Sequence, residues 1–536
     1  MPTPGQADID ALAKAAPRFD EPAHEAKHAA LKRLSKRALR ADMALVRYHD
    51  LLLFLRVHPS DAAMLAAVES ELARLTAFLR TQRGRHPEEL HNHGLPYVAS
   101  VTRFTHDCVR RLLGHSHARV ALDACIDPSF ELNALLRLTL PTLERGLTTA
   151  GLDNHGLLDA LGVPPRKRLR FIVDQLAHFD DQPALKDTLF DALGLYVRIT
   201  PTDRRLSKAY NRLPMTAVHH QATLLRDFDA LALMNRRLPA ARRLDAASRA
   251  QAIRTLQDTL TLTCRETDTA TYIEKRSLFV VDLERGLSVA IYAMVADRQL
   301  PLESYLGFTL FKNGLAVAYG GAWLLGPHAN FGMNIFEPYR GGESGFMMCQ
   351  VLRVYRQRFG VRFFEVDATQ FGLDNPDGIA SGAFWFYYRH GFRPLDSALA
   401  RRAEAERRKI QTKPGYRCSD KTLIGFTASN MALNFGGPLP VRLHDLSERV
   451  ALLMRRHGGD RTLAVAAATR RFVAQAGPLG PLNAAELAVL AEVALLASAM
   501  AIGEPGRLAL LRDMVRAKPV DTRRYQQLML AFLGVG

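Results

Sequence analysis

The tripeptide Lys312-Asn313-Gly314 stands between two apolar runs, Ser304–Phe311 and Leu315–Trp323. Asn-Gly in that setting is the strongest short-range hairpin signal, because both central residues of the tight turn take positive φ. The centre of the chain is therefore committed to antiparallel strands. Upstream, Leu278–Leu283 and Leu287–Val295 are apolar and rich in β-branched or aromatic residues, with Glu284-Arg285-Gly286 between them, which predicts a second hairpin. Downstream the pattern alternates: strand Ala329–Ile335, helix Ser344–Phe359, strand Arg362–Ala368, helix Ile379–His390, strand Phe392–Leu395. Arg401–Lys413 reads as a surface helix or loop, and Lys421–Thr427 as a last short strand. Gly436-Gly437-Pro438 marks a boundary.

The flanks read differently. Residues up to roughly Thr263 have helical periodicity. Within His24–Val57, Leu31, Leu34, Ala38, Ala41 and Leu45 share one face, and Lys32, Arg33, Lys36, Arg37 and Arg40 share the opposite one. Asp61–Arg80 opens with good N-caps, and Arg249–Thr261 is a further helix. Beyond Leu443, four or five helices are punctuated by Gly and Pro. The expected class is α/β, or α+β over the whole chain: residues 1–263 helical, 264–436 a mixed central sheet, 437–536 helical again.

Composition narrows function by exclusion. With 48% hydrophobic and 23% charged residues the chain reads as a soluble globular protein. The run Ala484–Ile502 is interrupted by Glu486 and Glu492, so a buried helix is expected and not a transmembrane segment. Met1–Ala16 lacks the pattern of a secretory signal. The five cysteines are scattered without a CxxC pair, which fits a reducing, cytoplasmic compartment. A net charge of +17 suits an anionic partner: a phosphorylated donor, tRNA, an acyl-carrier protein or a membrane surface. His86, His91 and His93, His115 and His117, and His219 and His220 complete no ligand set of known spacing, and no metal is assigned. Nucleophile-elbow, P-loop and dinucleotide motifs are lacking from the sequence.

Two segments carry chemistry. The first is Tyr339-Arg340-Gly341-Gly342-Glu343-Ser344-Gly345, a Gly-containing turn between a strand and a helix. Successive backbone N–H groups at such a helix start make an anion cradle. The second is Phe386-Tyr387-Tyr388-Arg389-His390-Gly391-Phe392. Together and in this order they resemble the GNAT (GCN5-related N-acetyltransferase) superfamily over about Leu302 to Thr427. In that superfamily the turn follows Arg/Gln-x-x-Gly-x-Gly/Ala; Arg340 and Gly345 match its ends, and Glu343 stands where the central glycine is expected. The resemblance implies a mixed sheet and an N-acyltransferase using acetyl-CoA or a related acyl-CoA, with an amine as acceptor. It implies that Arg340, Gly341, Gly342, Ser344 and Gly345 hold the donor's phosphates and that Tyr387 protonates the departing thiolate. The base would be Glu337, after the strand that ends at Ile335, with His328 second; a strand-end salt bridge is the bland reading of Glu337. Ala383 matches the small residue before the Tyr, whereas Ala380 replaces the usual Asn and Asn375 comes early. Arg265-Glu266-Thr267-Asp268 is expected either to line the acceptor cleft or to pair at a helix end. Two other functions compete: a non-catalytic binding module on the same fold, and acyl transfer from an acyl-carrier protein or aminoacyl-tRNA.

Overall fold

The structure is a computed structural model that describes residues 5–437 and 439–534. It is a mixed α/β protein that divides into two compact units. One comprises the chain up to Thr223, Gln251–Thr267 and the hairpin tip Asn313–Ala316; the other comprises Leu224–Ala250, Asp268–Lys312 and the chain from Val317 onward.

The first unit is built largely from helices, among them α1 (Glu21–Leu34), α2 (Met43–Val57) and α3 (Ala62–Thr81). The Asp42 and Asp61 carboxylates accept the Leu45 and Met64 N–H groups and so start α2 and α3. The continuous basic face expected over His24–Val57 does not exist, since helix α1 ends at Leu34 and α2 begins at Met43. Arg33 and Arg37 are instead drawn together on the Asp8 carboxylate, at 2.7 and 3.0 Å. This unit also contains a sheet where only helices were expected. Strands β1 (Ser100–Thr102), β2 (Ala118–Cys125) and β3 (Leu195–Pro201) pair antiparallel in the order β1-β3-β2. In β3, Leu195, Val197 and Ile199 alternate inward, a period-two signal only seven residues long inside a helical context. They join a core with Leu135, Leu136, Ile172 and Leu176.

The second unit carries a nine-stranded mixed sheet. In chain order its strands are β4 (Ala241–Arg242), β5 (Phe279–Asp282), β6 (Leu287–Ala293), β7 (Ser304–Lys312), β8 (Leu315–Leu325), β9 (His328–Ile335), β10 (Phe363–Val366), β11 (Arg393–Pro394) and β12 (Met431–Asn434). Their spatial order is β11-β12-β10-β9-β8-β7-β6-β5-β4. Both predicted hairpins are present, and Asn313 and Gly314 have φ of 48° and 81° as the turn chemistry requires. Strands β8 and β9 are antiparallel, but β9 and β10 are parallel, with Phe363 to Glu365 opposite His328 to Asn330. Helix α4 (Ser344–Phe359) joins that parallel pair and ends on Gly360 in the left-handed conformation. Its buried Tyr355 packs on Phe308 and Phe331 and donates to the Leu306 carbonyl at 2.6 Å.

Two expected elements are different. The helix expected over Ile379–His390 is two short ones, Pro376–Ala380 and α5 (Ala383–Arg389), parted by Gly382 at φ 66°. Lys421–Thr427 is helical, spanning Asp420–Phe426: the Ser419 hydroxyl accepts the Thr422 N–H, and Leu423 and Phe426 fall three apart on one buried face. The closing strand is Met431–Asn434, antiparallel to β10.

The chain continues into α6 (Leu443–Arg456), α7 (Arg461–Ala476), α8 (Ala484–Ala499), α9 (Pro505–Ala517) and α10 (Thr522–Phe532). These pack around Val493, Leu496, Leu511, Met514 and Phe532. They are fastened to the β8–β9 turn and to the end of α4 as well, because Gln526 donates to the Gly326 and Phe359 carbonyls at 2.6 and 2.9 Å. None of the described helices is long and apolar enough to cross a membrane.

Candidate functional site

The chain leaves β9 at Ile335, makes one tight turn at Glu337–Tyr339, and reaches α4 through Arg340–Glu343. Gly341 sits at φ 78°, where any side chain would be strained, and a Cβ there would meet no neighbour within 4 Å. The backbone of this turn is thus open to close approach. The N-cap residue of α4, Glu343, makes no side-chain cap, in contrast to Asp42 on α2 and Asp61 on α3. First-turn N–H groups and the positive end of the helix dipole are left for another acceptor.

Glu343 does not burden that cradle. Its carboxylate is buried, 2.7 Å from the Lys312 ammonium and 2.9 Å from Arg285 Nε, and it accepts the Leu225 N–H at 2.8 Å. Burial alone pushes the carboxyl up, but Lys312, the Leu225 N–H and Arg285 outweigh it and hold it at about 2. The sequence placed Glu343 at the phosphate position; the fold uses it to tie strand β7 and the β5–β6 turn to the start of α4. No local pattern marks the partners, which lie 31 and 58 residues away.

The segment that supplies Leu225 also touches the turn itself. Arg226 donates to the Gly341 carbonyl at 2.6 Å, and the Phe228 ring meets Phe346 edge-on with centroids 5.8 Å apart. Arg340 is exposed and its Nε donates to the Ile335 carbonyl at 3.3 Å. Glu337 is exposed, and among the described residues no cation pairs with it.

Helix α5 brings the second motif to the same place. A Cβ on Gly345 would lie 2.1 Å from His390 Nε2, so only glycine allows the end of α5 to press on the first turn of α4. His390 donates through Nδ1 to the Phe386 carbonyl at 2.6 Å, which leaves Nε2 as the unprotonated nitrogen; burial also lowers its pKa. His390 belongs to the second motif, yet only its spacing of four from Phe386 hints at this contact in the sequence. Tyr387 is buried among Phe371, Phe386 and Phe392. Burial pushes its phenol well above the ordinary value, so it remains protonated at neutral pH. Among the described residues its hydroxyl has no hydrogen-bond partner.

Other residues fall elsewhere. His328 pairs with Glu365 at 3.0 Å at the start of β9, roughly 23 Å of strand away from Ile335 at about 3.3 Å per residue. Asn375 caps its own helix through the Gly378 N–H at 3.0 Å. Glu266 accepts the Thr105 N–H and hydroxyl, at 2.9 and 2.6 Å. Past Asn330 and Glu365 the β9–β10 pairing stops, and the Gln370 side chain lies over Gly332, 3.6 Å from where a Cβ would be. Phe331–Ile335 therefore runs on beyond the last parallel pair, toward the Arg340 turn.

The site thus brings together an uncapped helix start, an open glycine, an exposed guanidinium and, on the adjoining helix, a protonated phenol. Comparison with protein-family models, with curated proteins and with solved structures finds no match to this chain.

Proposed function

We propose that the second unit is an N-acyltransferase with a GNAT-like arrangement, taking the acyl group of acetyl-CoA or a related acyl-CoA to an amine. The observation that carries the reading is the pairing of the two motifs: the uncapped start of α4, relieved of Glu343, lies under the end of the helix that holds Tyr387. The parallel β9–β10 pair, crossed by α4 and followed by β12 between β10 and β11, supports the same arrangement.

In this reading Arg340 and the N–H groups of Gly341–Gly345 hold the phosphates. The amine forms the new C–N bond at the thioester carbonyl as the C–S bond breaks. Tyr387 gives its proton to the leaving sulfur, and Glu337 takes the proton lost by the amine. Glu337 has the exposure for a base that meets substrate from solvent.

A binding module without catalysis draws on one specific observation: Leu225–Phe228 already lies against the turn through Arg226 and Phe228. Thermal unfolding with CoA separates the two. A ligand that binds only the folded chain at one hundred times its Kd adds about 2.7 kcal/mol of stability. The acyltransferase reading expects that gain, its reduction in Arg340→Ala, and thiol release from acetyl-CoA with an amine panel. No CoA stabilisation in wild type or in Arg226→Ala would defeat it.

A further inference from the structure

The first unit holds a cluster that the acyltransferase reading does not use. His24 and His28 stand one turn apart on α1, with ring centroids 4.7 Å apart. Asp61, the residue that starts α3, faces them: its Oδ2 lies 3.6 Å from His24 Nε2, and one ligand atom from each of the three residues lies within 4.8 Å of the others. Among the described residues this is the one such grouping of histidine, cysteine and carboxylate side chains.

We propose that His24, His28 and Asp61 form a binding site for a divalent transition metal of the zinc class, with an open coordination position toward solvent. Two imidazoles and a carboxylate are the donor set such ions prefer, and two histidines spaced by four on a helix face one way. Ligands about 2.0–2.1 Å from a tetrahedral ion stand about 3.3 Å apart, close to the observed Nε2–Oδ2 separation and too long at 3.6 Å for a hydrogen bond.

The surroundings set up the donors. Ser60 Oγ lies 3.2 Å from His24 Nδ1 and 3.1 Å from Asp61 Oδ2. The hydroxyl accepts Nδ1–H and donates to the carboxylate, which fixes the tautomer that turns the Nε2 lone pair toward Asp61. Asp61 Oδ1 is held by the Met64 N–H at 2.7 Å, so the carboxylate is anchored before any ion arrives. The opposing charge is Lys27, whose ammonium lies over the Phe19 ring at 4.1 Å from its centroid. All three ligating side chains are part-exposed, which gives an ion a path in.

The test uses the full chain stripped with chelator and titrated with Co2+ and then Zn2+. We expect one equivalent of Co2+ with the visible bands of a four-coordinate site, displaced by Zn2+. Asp61→Asn retains an oxygen to cap α3 and should weaken binding at least tenfold, and His24→Ala/His28→Ala together should abolish it with the far-ultraviolet spectrum unchanged. A Zn2+-dependent rise in the thermal midpoint of wild type, missing from Asp61→Asn, gives the same answer without the double variant. Failure of wild type to bind a stoichiometric ion at micromolar concentration would overturn the proposal, as would equal binding by the double variant.

Discussion

The Glu343 carboxylate lies 2.7 Å from the Lys312 ammonium with both side chains wholly buried, and Arg285 adds a second cation. A buried charge left without its partner costs about 3–5 kcal/mol, more than the pair contributes relative to apolar residues of the same volume. Glu343→Ala and Lys312→Ala should therefore each destabilise the fold by about that amount, and Lys312→Met/Glu343→Leu should cost less than the sum. Urea denaturation of the three variants reads this coupling; additive losses would refute it. The pH dependence follows in sign. A carboxyl held at about 2 in the fold, against an ordinary value of 4.5, contributes stability that is complete above about pH 4.5 and is lost as pH falls toward 2. Wild type should lose more stability across that window than the Met/Leu double variant.

Tyr387→Phe should leave the thermal midpoint and CoA affinity close to wild type, since the hydroxyl has no partner among the described residues. Turnover should fall roughly 10²–10⁴-fold, the usual scale of one general acid. Steady-state kinetics beside thermal unfolding checks both halves, and full turnover in the variant removes Tyr387 from the mechanism.

Gly345→Ala places a Cβ 2.1 Å from His390 Nε2, so α5 or the imidazole must move. The expected cost is about 1–3 kcal/mol, the range for overpacking a filled site, with weaker CoA binding because the first turn of α4 shifts. Gly345→Ala/His390→Ala should recover most of the stability. A single variant as stable as wild type would show that the contact is slack.

Lys518 is buried, donating to the Glu303 carbonyl and Ser304 Oγ at 2.7 and 2.8 Å. Burial draws its ammonium down to about 7 from 10.5, with Glu303 opposing. Between those values the unfolded chain binds the proton that the folded chain has released, so stability rises with pH from about 7 to 10.5. Lys518→Met should flatten that rise in denaturation measured across the window.

Much of the second unit is legible in the residues alone because its signals are local. Asn313-Gly314 dictates its turn, and α4 runs from Ser344 to Phe359 as its apolar spacing predicts, ending at a glycine that takes the left-handed conformation. The packed tail follows from a run, Leu487–Ala501, too apolar to remain solvated, most of which lies in α8. The parallel pairing of β9 with β10 follows from a helix between two strands. Short elements are ambiguous where a few residues satisfy two periods: β3 sits among helices, and Asp420–Phe426 has strand-like composition but a serine cap.

What tertiary structure alone decided lies in pairs distant in sequence. Sequence places Glu343 in the phosphate turn; only the fold brings Lys312 and Arg285 to it and removes its charge from the cradle. Sequence supplies His390 as a residue after a tyrosine; only the approach of α5 to Gly345 places its Nε2 at the start of α4. His24 and His28 were one turn apart from the outset, yet the carboxylate facing them belongs to the N-cap of another helix, 33 residues past His28. Local rules act through neighbours along the chain, whereas charge pairing and ligand geometry depend on which elements the core brings side by side.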